Sequence, residues 1–283
     1  IFINDGRLGN QIFHFAFLRR IARRKELMLL INMEMYFQAF DFEKSGIWHS
    51  GNHYLFLLAR FFFLPFLKSL ARARIISSVG IKKNAEQDAD SLDFVERRGL
   101  FSFLRFVETD FYQSEKYFLP DFVCSIKMKA QYLREADIFL RSISDDFKKV
   151  FVHVRRGDYI NEVFMNERGI DLPKAYFKKA IELIKQEVQN PFFIFLTDDP
   201  SYCRDCFEEL ENKTISMNSM FVDFAIMMLC DAGIISNSSF SWWGAYLMKS
   251  KGRLIAPRYW YGWKQKVEFP ACIQASCFKT IEF

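Results

Sequence analysis

Phe151-Val-His-Val-Arg-Arg-Gly-Asp-Tyr159 decides how the rest of this chain is read. The run leading into it, Lys149-Val-Phe-Val-His-Val154, is apolar without alternation, as a strand covered on both faces of a parallel sheet must be. It ends in two arginines, a glycine and an aspartate. In open α/β sheets, ligands sit outside the carboxyl ends of the strands. Two guanidinium groups fixed there, always charged, suit a diphosphate and can stabilise it as it leaves. Taken alone, the Arg-Arg-Gly-Asp turn would read as a surface salt bridge. The strand before it and the motifs elsewhere favour a ligand site.

Outward from this stretch the pattern is regular. Pro173 opens a helix in which Tyr176, Phe177, Ala180, Ile181, Ile184 and Val188 recur at helical spacing. Phe192-Phe-Ile-Phe-Leu196 reads as a second strand, Ala232-Gly-Ile-Ile235 as a third and Arg253-Leu-Ile-Ala256 as a fourth, with helices from about Phe221 and from Phe240 between them. Strands alternating with amphipathic helices specify a parallel, doubly wound sheet. The first half opens on a strand over 1–4, a glycine-bearing turn, a helix over about 11–24 and a short strand at 28–31. From about 36 to 120 it is irregular and aromatic. The reading is an α/β chain of two domains, 1–147 and 148–283.

Composition narrows the class. Of 283 residues 51% are hydrophobic and 26% charged, so the chain folds around a sizeable core. The net charge of +5 gathers in clusters, Arg19, Arg20, Arg23, Arg24 and Lys25 in one, Arg72, Arg74, Lys82 and Lys83 in another. Such patches suit phosphate-bearing ligands or an anionic membrane surface, and equally a solvated helix face. No nucleic-acid-binding module accompanies them, so nucleic acid is not an expected partner. The chain opens on Ile1-Phe2-Ile3 rather than a leader, and its scattered cysteines lack the density of a disulfide scaffold. A cytoplasmic location is expected, with peripheral attachment at the inner face of the cytoplasmic membrane as its variant. The apolar run Tyr54–Leu67 contains Arg60 and Pro65 and is short for a span. A buried helix is the favoured reading of it, ahead of one lying on a membrane.

Gly6-Arg-Leu-Gly9-Asn10-Gln11 sits between a strand and a helix start, where backbone amides and the helix dipole converge. Gln11 stands where a dinucleotide fingerprint needs its third glycine, and a lone GxxG is usually a tight turn. Asn10 and Gln11 nonetheless bring amides suited to a sugar. Asp198 and Asp199, after the second strand, can accept from guanine or ribose or hold a metal; alternatively Asp199 or Ser201 caps the next helix. Ser236-Asn-Ser238-Ser239, ahead of the helix from Phe240, offers hydroxyls and amides to a phosphate. Trp242 and Trp243 read more as core than as a sugar platform. Asp88-Ala-Asp90 looks like a metal-binding DxD but lies in the polar stretch Asn84–Asp90, not after an apolar strand. Cys203-Arg-Asp-Cys206 has redox or half-zinc spacing without a matching pair, so two thiols on a helix is the plainer reading.

Gly6-Arg-Leu-Gly-Asn-Gln11, His153-Val-Arg-Arg-Gly-Asp-Tyr159, Thr197-Asp-Asp199 and Ser236-Asn-Ser-Ser-Phe-Ser-Trp-Trp-Gly-Ala245 together resemble the α-1,2-fucosyltransferase family. That family includes bacterial enzymes decorating lipopolysaccharide or oligosaccharides and the animal blood-group H transferases. The resemblance implies a GT-B glycosyltransferase fold of two Rossmann-like domains with parallel doubly wound sheets. The second would hold GDP-fucose and the first would supply much of the acceptor side. It further implies an inverting transfer of L-fucose from GDP-β-L-fucose to the 2-hydroxyl of a galactose-terminated glycan, with no metal or other cofactor required.

Under that resemblance Arg155 and Arg156 neutralise the departing diphosphate as an oxocarbenium-like transition state forms. Asp198 or Asp199 reads guanine or ribose, and Ser238 and Ser239 hold phosphate. His153 and Phe240 join the substrate-binding set. Gly9, Asn10 and Gln11 lie near fucose and the acceptor hydroxyl, with Asn10 counted among the catalytic residues. Asp158 ranks first as base, ahead of Glu162 and His14, or only orients the arginines. The alternatives are a non-catalytic sugar or nucleotide binder on the same fold and a fucosyltransferase of other linkage.

Overall fold

The computed structural model describes residues 1–42, 45–81, 94–250 and 252–283. Lys82, Lys83 and the stretch Asn84–Asp90, with Asp88 and Asp90, lie outside the described residues. The chain divides into two units, Ile1–Lys127 and Met128–Phe283.

In the first unit β1 (Phe2–Ile3) leads through a turn into α1 (Leu8–Ile21), and β2 (Met28–Ile31) and β3 (Ile47–Ser50) complete a parallel sheet in the order β1-β2-β3. Gly6 makes the turn: its φ is +124°, and a Cβ there would sit 2.6 Å from the Asn10 side-chain nitrogen. Because Gly6 takes the unusual conformation, Gly9 is helical, and α1 begins at Leu8 instead of near Gln11.

Helix α2 (His53–Arg72) is continuous, with one π turn at Ala59–Phe63. The widening falls just before Pro65, which has no N–H and interrupts the helical ladder. Strand β4 (Ile76–Ile81) then pairs antiparallel with β5 (Phe94–Arg97) and parallel with β6 (Phe101–Val107). The apolar run Tyr54–Leu67, expected to be a buried helix, belongs to α2, and only 11% of that helix's most apolar window is buried. Phenylalanine and leucine on more than one side of the run Tyr54–Leu67 leave its pattern ambiguous about which side faces inward.

The second unit is built on one six-stranded sheet. After α3 (Ala130–Arg141) come β7 (Lys148–Val154), α4 (Lys174–Glu187), β8 (Pro191–Thr197), α5 (Pro200–Cys206) and β9 (Lys213–Ile215). Then follow α6 (Met220–Leu229), β10 (Ala232–Ile234), α7 (Ser239–Tyr246), β11 (Leu254–Pro257) and β12 (Lys279–Ile281). The spatial order is β9-β8-β7-β10-β11-β12, with every neighbouring pair parallel. Counted from β7, this is the 3-2-1-4-5-6 order of the doubly wound Rossmann sheet. The α/β class and the parallel sheet expected of the second half are both observed. Helix α3 packs on α6, with the Tyr132 ring 5.0 Å from that of Phe221, so residues 128–147 lie in this unit.

Strand β7 is central, and its Val150, Phe151 and Val152 are fully buried with Tyr176 and Phe177 of α4 and Phe193 and Phe195 of β8 in the surrounding core. Cover on both faces is why its apolar run is unbroken. On the neighbouring strand Gly233 pairs with Phe151, and a Cβ there would stand 2.1 Å from the phenylalanine ring. Gly233→Ala therefore overpacks the sheet. It is expected to lower stability by about 1–3 kcal/mol, seen as a lower urea midpoint with an unchanged slope.

Candidate active site

Strand order reverses between β7 and β10, so the cleft outside their carboxyl ends is the switch point at which such sheets take ligands. The turn Arg155–Tyr159 leaves β7 there, Asp198 and Asp199 follow β8, and Ser236–Ser239 follow β10. His153 ties two of these segments: its Nδ1 lies 2.7 Å from the Ser236 hydroxyl. Burial, and secondarily the charge of Arg155, push its pKa down to about 3. The imidazole is a neutral tie at physiological pH, not a cation.

Each guanidinium is held by two carboxylates. Arg155 donates to Asp198 Oδ2 at 2.5 Å and to Asp158, and lies over the Tyr159 ring at 5.3 Å. Arg156 donates to Asp199 at 3.2 Å and Asp171 at 2.9 Å, and its guanidinium stacks 3.8 Å above the Tyr202 ring. The Arg156 backbone N–H donates to Asp198 Oδ1 at 2.9 Å. Gly157 makes room for this network, since a Cβ there would lie 2.6 Å from Asp198 Oδ2. The salt-bridge turn that the sequence reading set second is thus present, in the same residues as the ligand-site reading.

That network engages both members of the acidic pair. Asp198, expected to read guanine or ribose, is bonded through both oxygens to the arginine turn. Asp199 caps α5, accepting from the Tyr202 amide at 3.0 Å and the Ser201 hydroxyl at 2.8 Å. Those two bonds, with Arg156 adding to them, hold its carboxyl below the usual range. Asp158, Asp171, Asp198 and Asp199 outnumber the two guanidiniums. A diphosphate arriving here must therefore take an arginine from a carboxylate. Arg155 is the easier to take, because the Asp158 side chain is 52% exposed and water can replace its partner.

Asp171 was not among the residues singled out from the sequence, and no motif announces it. Folding alone brings it in: the Ile170 N–H donates to Tyr159 O at 2.9 Å and the Asn237 side chain donates to Ile170 O at 2.7 Å. Tyr159 closes the arrangement, its hydroxyl 3.3 Å from Asn237 O and 3.2 Å from the Tyr261 hydroxyl.

Ser238 takes the N-cap position of α7, with its own N–H donating to Ser236 O at 2.8 Å. Ser239 and Phe240 stand half-buried in the first turn, and the Phe240 ring lies 5.5 Å from that of His153. Trp242 and Trp243 are both fully buried core, and Trp242 donates to Ile273 O at 2.6 Å. Cys203 and Cys206 lie on α5 without a disulfide, and burial pushes the Cys203 thiol up to about 12.

Gly9, Asn10 and Gln11 all lie on α1 of the first unit. Gln11, expected near the sugars, is 3% exposed and bonds through its side chain to Gly6 O, Asn32 O and the Tyr36 N–H. It fastens the turn to the next helix. Asn10 accepts from the Gln113 amide at 2.8 Å, and Gly9 is buried. His14 lies 2.6 Å from the Asn4 side-chain oxygen, and burial pushes its pKa down to about 3.

Fold and site define a doubly wound α/β protein with two adjacent guanidiniums at its switch point. Residues 2–271 match the family described as Glycosyl transferase family 11, and the chain belongs to that family. The O-antigen biosynthesis glycosyltransferase WbnK of Escherichia coli is 24% identical over 93% of this chain and 95% of its own length. An α-1,2-colitosyltransferase of Escherichia coli is 31% identical over 57% of this chain and 58% of its own. The galactoside 2-α-L-fucosyltransferase Sec1 of Mus musculus is 26% identical over 86% of this chain, which spans 62% of that longer protein. The resemblance drawn from the motifs is borne out, and the protein is a glycosyltransferase.

Proposed function

We propose that this chain transfers L-fucose from GDP-β-L-fucose to the 2-hydroxyl of a terminal galactose, with inversion and without a metal ion. The observation that carries the reading is Arg155, a guanidinium at the end of the central strand, beside the serine turn and held by an exchangeable carboxylate. In the proposed reaction the bond from fucose C1 to the β-phosphate oxygen breaks while the acceptor oxygen bonds to C1 from the opposite face. Negative charge develops on the departing diphosphate, and Arg155 meets it. A fixed donor aimed at developing charge is the largest single contribution most sites make. The Ser238–Ser239 turn supplies amides at the start of α7 for the same phosphates. Arg156, stacked and doubly paired, holds Asp198 and Asp199 in place. When Arg155 turns to the diphosphate, the half-exposed Asp158 carboxylate is the base that receives the acceptor proton.

The 31% identity to a colitosyltransferase supports a second reading, in which the donor carries colitose instead of fucose. One experiment separates them. The protein is incubated with either donor and a panel of galactose-terminated acceptors, with and without EDTA, and product linkage is read by NMR. An α-1,2-fucosyl product formed equally in EDTA is expected. A colitosyl product alone, another linkage, or activity lost to the chelator would each overturn the corresponding part. Tight donor binding without transfer would make the protein a binder.

A further inference from the structure

Helix α2 is fastened to the first unit along one face, where Phe56, Leu64, Leu70 and Ala71 pack half-buried. Ala59 and Leu67 are buried, in a cluster with Ile3, Ile76 and Phe106. Most of the remaining circumference is apolar and exposed, including Phe61, Phe62 at 69% and Phe66. The apolar surface continues past the helix end: the N–H groups of Leu100 and Phe101 donate to Arg74 O and Ile75 O, both at 2.8 Å. Leu100 and, two residues beyond Phe101, Phe103 at 80% are exposed there. An apolar face of this extent marks an interaction surface.

Its charge identifies the occupant. No Asp or Glu occurs between His53 and Ile81, while Arg60, Lys68, Arg72 and Arg74 do. Lys68, Arg72 and Arg74 are exposed. A protein partner would be matched by charges of both signs around an apolar centre, whereas phenylalanines flanked along the helix by the exposed Lys68, Arg72 and Arg74 match an anionic bilayer. We propose that α2, with the Leu100–Phe103 edge, docks on the surface of an anionic lipid bilayer. The rings enter the boundary between headgroups and acyl chains, and Lys68, Arg72 and Arg74 lie among the headgroups. The helix is long and apolar enough to span a bilayer by composition. Spanning, however, would strip Ala59 and Leu67 from their core and carry Arg60, which pairs with Asp5 at 3.4 Å, into the hydrocarbon. This surface belongs to the first unit, and the proposal does not depend on which sugar is transferred.

The test is sedimentation of the whole chain with vesicles of phosphatidylcholine alone and with added phosphatidylglycerol. Binding is expected to the anionic vesicles, weakened by salt. Exchange of Lys68, Arg72 and Arg74 for Gln should lower it at least about tenfold, given the attraction each basic residue adds near a charged surface. Phe62→Ser with Phe66→Ser should abolish it, and so should Leu100→Ser with Phe103→Ser on the strand edge, with circular dichroism unchanged. Carbonate should release the bound protein. Equal binding to neutral vesicles, unaltered binding by the folded serine variants, or retention after carbonate would overturn the proposal. So would a dimer abolished by the serine substitutions without any vesicle binding, which would give the face to a second copy.

Discussion

Arg155→Ala should lower kcat by roughly 10²–10³ while leaving the melting temperature little changed. The two outcomes have separate causes. In the proposed reaction charge develops on the leaving diphosphate only as the glycosidic bond breaks, so a donor waiting there would stabilise the transition state more than the bound substrate. Structurally, loss of Arg155 removes one cation from beside Asp158, which is already half exposed, and leaves Asp198 still bonded to the Arg156 N–H. Arg155→Lys should recover part of the loss, because an ammonium keeps the charge but cannot fork between two carboxylates. Unchanged turnover in a folded Arg155→Ala protein would remove this arginine from the mechanism.

Arg156→Ala should behave differently, and the contrast is the sharper test. It strips Asp171 and Asp199 of their shared cation and uncovers the Tyr202 ring. Each carboxylate is largely shielded, with 20% and 29% of its side chain exposed, so two like charges are left facing a poorly solvated gap. Stability should fall by about 1–3 kcal/mol, and lysine should not restore it. Arg155 reads out in rate and Arg156 in stability.

The sequence reveals these two arginines and conceals how they are held. Strand β7 is legible because cover on both faces demands an unbroken apolar run, and its abrupt end marks the site. Strands β9 and β12 are three residues each at or near the sheet edges, too short and too mixed in polarity to signal themselves. Asp171 arrives from a loop with no motif because its position is set by the bonds of its neighbour Ile170, whose N–H donates to Tyr159 O and whose carbonyl accepts from Asn237, and these exist only in the fold. The structural bonds of Gln11 are hidden for a related reason: an amide at a helix start suits a sugar and a turn equally, and its burial exists only in the fold. The exposure of α2 is likewise hard to read, since a run as rich in Phe and Leu as Tyr54–Leu67 reads as core.

Replacing His153 by Asn should make the fold more resistant to acid, and His14→Asn should do the same. Both histidines are buried and held neutral, with pKa values pushed down to about 3. Their unfolded value is about 6.5, so below it the unfolded chain binds protons that the folded protein refuses. The stability each contributes is complete above pH 6.5 and is lost as pH falls toward 3, at about 1.4 kcal/mol per pH unit. Relative to the parent, each variant should retain up to about 2–3 kcal/mol more of its neutral-pH stability at pH 4.5, read from urea midpoints. Comparison with the parent is needed because Asp223 acts in the opposite sense. Burial raises its carboxyl to about 6, against the pull of the Ser216 hydroxyl, so its contribution is present at low pH and lost as pH rises through 6. Asparagine keeps an amide toward Ser236 or Asn4 while removing the titrating ring. Identical acid profiles in parent and variants would mean that water reaches both imidazoles. In the Arg155→Ala protein the His153 effect should shrink without vanishing, because burial is the larger cause of its shift and the arginine's charge the smaller.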